Sequence, residues 1–185
     1  MPPLDRLTVT FTLGARDVRH LRSVADRAAA RASGRPERAI ASAARARAAE
    51  LRKFHPPSYV LERVAGLEEL IELLEDADWS PPERVRQRVR AALAYFTEPD
   101  DLIADSVPGL GFLDDAIVID LLARELRHER AAYREFARFR NSARRRRAAR
   151  DPEWLATKLA ERRRMLRARV DARERAPVVP GWRGR

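Results

Sequence analysis

Ala94-Tyr95-Phe96-Thr97-Glu98-Pro99-Asp100-Asp101-Leu102-Ile103-Ala104-Asp105-Ser106-Val107-Pro108-Gly109-Leu110-Gly111-Phe112-Leu113-Asp114-Asp115 joins two helical patterns through a loop dense in aspartate, proline and glycine. Before it, Val85, Val89, Ala92, Leu93 and Phe96 follow a helical period, and Pro99 ends that helix. After it, from about Asp114, Ile117, Val118, Leu121, Leu122, Leu126, Tyr133 and Phe136 predict one long helix. The loop itself supports two readings. In one, Pro99 and Pro108 fix chain direction, Gly109 and Gly111 permit positive φ, and the aspartates cap turns and the next helix. In the other, Asp100, Asp101, Asp105, Asp114 and Asp115 converge as hard oxygen ligands for Mg²⁺ or Ca²⁺. The spacing is not that of an EF-hand, and Asp and Gly are ordinary turn and cap residues, so the structural reading takes precedence.

Working outward, Ser80-Pro81-Pro82-Glu83 has the form of a capping box that opens the helix before the loop. Further back, Val60, Val64, Leu67, Ile71 and Leu74 form a narrow apolar seam on a helix whose other faces hold Glu62, Glu68, Glu69, Glu72 and Glu75. His55-Pro56-Pro57 separates it from two alanine-rich helices divided at Gly34 and Pro36. Beyond the long helix, Asp151-Pro152-Glu153 starts another that carries Leu155, Leu159, Leu166 and Val170. Residues 7–13 alternate Leu7, Val9, Phe11 and Leu13 with Thr8, Thr10 and Thr12, which predicts a strand with one buried face. A lone strand needs a partner, so it pairs with a distant segment or with a second copy, giving a dimer ribbon.

The quoted segment resembles the YkvA-like bacterial family, a domain of unknown function. The likeness rests on Tyr95, Phe96, Pro99, Asp101, Leu102, Ile103, Asp105, Pro108, Gly111, Asp114 and Asp115; Ala104 stands where the family usually has proline. It is firm over residues 85–123 and weaker from Trp79 to Arg140. The resemblance implies a helical-hairpin domain and a bacterial source, and it supplies no activity, because none is assigned to the family. The fold expected is mainly α: a helical bundle around that hairpin, one N-terminal strand, and a basic helical C-terminal extension. Three parts are expected: residues 1–54 with the strand and two helices, a core at 55–140, and the extension at 141–185, its last ten residues disordered.

Charge divides the same way. The 185 residues carry 38 Lys plus Arg against 28 Asp plus Glu, a formal net charge of +10. Residues 1–54 hold 12 basic and 5 acidic groups, 55–115 hold 5 and 14, 116–140 hold 6 and 4, and 141–185 hold 15 and 5. The body is therefore neutral, and the excess lies in the extension. Arginine so dominates lysine (Lys53 and Lys158 alone) that genomic base composition is an adequate cause, and abundance by itself does not argue for nucleic acid. The basic extension, with Arg144, Arg145, Arg146 and Arg147, is a candidate contact for nucleic acid or anionic lipid, or else folds back on the acidic helix from Tyr59 to Asp76. One strand followed by two helices is also the order of ribbon-helix-helix repressors, in which Thr8, Thr10 and Thr12 would read bases, with Arg6, Arg16 and Arg19 near phosphates; threonine reads bases poorly.

Zero cysteines exclude disulfides, thiol catalysis and Cys-ligated metals. No P-loop, dinucleotide fingerprint or Ser-His-Asp arrangement occurs. Glu125-x-x-His128 and Asp17-x-x-His20 have di-iron spacing, but chance supplies such pairs in a chain this charged. No signal peptide or membrane span is expected, because Met1 to Asp5 lacks a basic start and the most apolar stretch, Leu102 to Ala123, holds four aspartates. The expected function is that of a non-enzymatic interaction or scaffold protein, cytoplasmic or peripheral to a membrane, with no cofactor expected; the alternative reading of the loop would place a divalent cation at Asp101, Asp105, Asp114 and Asp115.

Overall fold

The computed structural model describes residues 12–53, 56–98, 112–145 and 151–175. Among them run seven helices: α1 (Ala15–Arg31), α2 (Glu37–Lys53), α3 (Ser58–Glu75), α4 (Glu83–Phe96), α5 (Leu113–Glu125), α6 (Arg127–Arg144) and α7 (Pro152–Arg175). Helix α1 starts where Asp17 reaches back to accept from the Gly14 amide at 2.8 Å, and it buries Leu21, Val24, Ala25 and Ala28. Helix α2 buries Ile40, Ala41, Ala44, Ala48 and Leu51, its small side chains letting the backbone lie close to α3 and α4. Both α1 and α2 pack on α4.

Helix α3 is more deeply set than a narrow seam implies. Val60, Val64, Leu67, Leu70, Ile71, Leu73 and Leu74 are all buried, because α2, α4, α5 and α6 each touch it. Glu62, Glu72 and Glu75 of its acidic face are exposed, but arginines neutralise much of that face. Glu68 takes both guanidinium nitrogens of Arg52 at 2.8 Å, Glu75 pairs with Arg45 at 2.7 Å, and Glu69 is shared by Arg130 and Arg134 of α6.

Three expectations change. The helix after the loop is two helices, broken at Leu126 (φ −92°, ψ 15°). No proline or glycine causes this. Val118, Ile119 and Leu122 before the break and Tyr133 and Phe136 beyond it all join the core, the last two against Trp79. Helix α4 begins at Glu83 after an extended Pro82 and receives no side-chain cap; Ser80 instead sits at φ +47°, its amide donating to the Asp76 carbonyl at 2.7 Å. Two consecutive prolines hold the chain extended and move the helix start past Ser80. The N-terminal strand and dimer ribbon find no support: residues 7–11 lie outside the described residues, Thr12 and Leu13 are irregular, and no strand occurs among the described residues. Leu13 packs against the helical core, and an apolar anchor there needs no strand partner.

Candidate functional site

The two ends of the aspartate loop are fastened from four helices. At the end of α4, Tyr95 is buried and its hydroxyl donates to Asp114 Oδ2 at 2.8 Å. Asp114 and Asp115 occupy the first turn of α5, buried to 3% and 2% exposure, where the helix dipole favours negative charge. Arg47 of α2 lies 3.5 Å from Asp115, stacks over the Phe96 ring at 5.5 Å, and donates to the Glu98 carbonyl at 3.4 Å. Arg31 of α1 pairs with the Glu98 carboxylate. Phe112, at φ +68°, turns the chain into α5. The aspartates thus act on the loop's end points, joining α4 to α5 under clamps from α1 and α2.

The remaining loop candidates, Pro99, Asp101, Asp105, Pro108 and Gly111, lie outside the described residues, as does Asp100. Among the described residues no group of three His, Asp or Glu side chains could hold a metal ion. The di-iron spacings do not form sites either: Glu125 pairs with Arg22, His128 falls beyond the break at Leu126, and Asp17 caps Gly14.

A second buried cluster was not anticipated. Trp79, fully buried, stacks with Phe136 (5.2 Å between centroids) and Tyr133 (5.9 Å), and its indole N–H donates to Glu129 at 3.1 Å. Glu129 is 1% exposed, and burial holds its carboxyl above the ordinary range, against the pull of Arg167, the indole hydrogen bond and Arg84. Arg167 lies over the Trp79 ring at 5.3 Å and donates to the carbonyls of Trp79 and Ser80; burial draws it below its ordinary value, against the pull of Glu129. Nearby, Asp76 accepts from the Trp79 amide (3.0 Å), Tyr133 (3.2 Å) and Arg140 (2.7 Å); burial and then Asp76 push Tyr133 up to about 12. One signal for this cluster was present in the sequence: Glu129 interrupts the apolar positions Leu126, Ala132, Tyr133 and Phe136 of one helical face.

Among the described residues, five arginines of the extension, Arg144, Arg162, Arg163, Arg167 and Arg169, are engaged by other parts of the fold. Arg162 and Arg169 of α7 both pair with Glu135 of α6, Arg163 donates to the Asp78 carbonyl at 2.8 Å, and Arg84 of α4 holds Glu174 at 2.7 Å. Leu159, Leu166 and Val170 bury α7 against α6. Helix α7 therefore folds back on α6 and the turn after α3. Arg144 reaches Asp78 at 3.1 Å, Arg145 is exposed, and Arg146 and Arg147 lie outside the described residues. Thr12 is exposed; Thr8 and Thr10 lie outside the described residues.

The clamped ends of the loop coincide with a stretch that similarity also singles out. Residues 89–121 match a family described as a protein of unknown function, DUF1232. The uncharacterized membrane protein YkvA of Bacillus subtilis (strain 168) is 34% identical over 65 residues, 32% of this chain and 61% of that protein. The chain thus spans less than two thirds of that relative's length. No solved structure matches the chain. The DUF1232 match runs from Val89 in α4 to Leu121 in α5, so it encloses Tyr95, Asp114 and Asp115 and leaves Trp79, Glu129 and α7 outside.

Proposed function

We propose that this YkvA-like chain is a non-enzymatic interaction or scaffold protein that works peripherally at a membrane surface. The observation that carries the reading is the use made of its buried carboxylates. Asp114, Asp115 and Glu129, the buried acids among the described residues, are each engaged by a Tyr, Arg or Trp from another helix or from the turn after α3, so they tie separate parts of the fold together. Such groups stiffen a framework, and the outer helix faces are left to make contacts.

The peripheral part of the reading draws on two facts. The YkvA relative is described as a membrane protein, while no helix among the described residues is long and apolar enough to cross a membrane. Fractionation of native cells tests both parts. Recovery of the chain with membranes, released by high salt without detergent and together with a co-purifying protein, supports the proposal. Recovery wholly in the soluble fraction with nothing bound overturns it. Heat on titration with Mg²⁺, Ca²⁺ or Mn²⁺, lost when Asp114 and Asp115 are replaced by Asn, would turn the reading toward a metal site in the aspartate loop. Self-association through residues 7–13 belongs to the same proposal and is tested by sedimentation with and without that segment.

A further inference from the structure

The net charge of +10 points to the C-terminal extension as the cationic surface, but the helix packing distributes the usable charge differently. On α7, Arg162, Arg163, Arg167 and Arg169 are committed to Glu135 and to backbone carbonyls. Its other exposed arginines, Arg164, Arg173 and Arg175, share the helix with exposed Glu153, Glu161, Asp171 and Glu174, so that surface is mixed in sign.

Helix α1 differs. Its core side is Leu21, Val24, Ala25 and Ala28. Positions 16, 19, 23, 27 and 30, spaced by three and four, share the opposite side, and all five residues (Arg16, Arg19, Ser23, Arg27, Ala30) are exposed. Arg16 and Arg19 form no ion pair among the described residues, and Arg27 donates only to Ser23 Oγ, at 2.8 Å. The helix's two acids are already engaged: Asp17 caps Gly14, and Asp26 pairs with Arg88. Just beyond α1, exposed Arg35 and Arg38 likewise lack an acidic partner among the described residues. The result is a straight cationic face about 16 Å long from Arg16 to Arg27.

We infer that the outer face of α1, through Arg16, Arg19 and Arg27, is the surface by which this protein docks on anionic phospholipid. The inference rests on the peripheral reading above and names the surface that performs it. Small side chains at Ser23 and Ala30 let the helix lie lengthwise on a plane of headgroups, where each guanidinium can bridge phosphate oxygens. The face carries no aromatic residue to stack on bases and no Asn or Gln to read them, which favours a lipid plane over nucleic acid.

Co-sedimentation of the full chain with phosphatidylcholine vesicles, with and without phosphatidylglycerol, tests this. Binding is expected only with phosphatidylglycerol and should weaken with salt. Arg16→Gln/Arg19→Gln/Arg27→Gln should lower affinity roughly a hundredfold, from about fivefold per arginine, with an unchanged melting curve because all three sites are exposed. Arg164→Gln/Arg173→Gln/Arg175→Gln should change it less than about tenfold. If the α1 variant binds like the parent while the α7 variant loses binding, the surface is wrong and the peripheral reading stands. If the parent ignores phosphatidylglycerol, both fail. Binding to duplex DNA that is lost with the α1 arginines, in place of vesicle binding, overturns the choice of lipid.

Discussion

Glu129 can be perturbed in two ways that separate its hydrogen bond from its charge. Glu129→Ala removes the acceptor of a fully buried indole N–H and leaves space beside Trp79. An orphaned buried donor costs about 1–3 kcal/mol, and the lost packing adds to it, for roughly 2–4 kcal/mol in total. In a chain of this length that lowers Tm by roughly 5–15 °C. Glu129→Gln keeps an oxygen for the indole and removes only the charge, so it should stay within about 1 kcal/mol of the parent. The two variants also differ from the parent in pH dependence. Burial raises the folded-state pKa of Glu129 above its ordinary value of 4.5, so between those two values the native state holds more protons than the unfolded chain. The Glu129 contribution is therefore most favourable below 4.5 and is lost as pH rises through the folded pKa. Circular dichroism melts from acid to neutral pH should show Tm of Glu129→Gln rising relative to the parent as pH increases. A constant difference, or one of opposite sign, would refute the assignment of Glu129 as a carboxylate strained by burial; an Ala variant as stable as the parent would refute its hydrogen-bonding role.

Other consequences arise from the same packing. Tyr95→Phe should lose about 1.5–3 kcal/mol in urea denaturation, the worth of a hydrogen bond to a buried carboxylate, with no change in far-ultraviolet dichroism. Arg140→Ala, which strips Asp76 of its guanidinium in a largely buried pair, should cost about 3–5 kcal/mol, and Asp76→Asn with Arg140→Leu should recover part of that loss. Leu166→Ala should cost about 2–5 kcal/mol and speed amide exchange in α7 more than in α3, since Leu166 is fully buried where α7 meets α6. Glu68 and Glu135 are held below the carboxylate range chiefly by Arg52 and Arg169, and Glu69 by Arg134 and Arg130 against its own burial. Their stabilisation is present above 4.5 and lost as pH falls through the lowered values, so high salt should blunt acid destabilisation measured by Tm below that point.

The sequence by itself determined the helices and the stretch that similarity recovers. Helical periodicity is a local property, written in residues three and four apart, and so are the glycine and proline stops that part α1 from α2 and that close α4. The YkvA-like loop was legible for the same reason, being a run of fixed spacings along one chain segment. Features that depend on which helices meet were not legible. The break at Leu126 has no proline or glycine to announce it. Ser80 had the chemistry of a cap, but the prolines after it and the pull of Asp76 and Arg167 placed it in a strained turn. Charge was the least readable of all. Summed along the chain, the excess sits in the extension, yet in the fold Glu135, the carbonyls of Trp79 and Asp78, and Arg84 decide which of its charges remain available. An arginine's partner is set by distance in space, over which sequence separation has no control, and so only the tertiary structure could separate the arginines that hold α7 in place from those that face outward on α1.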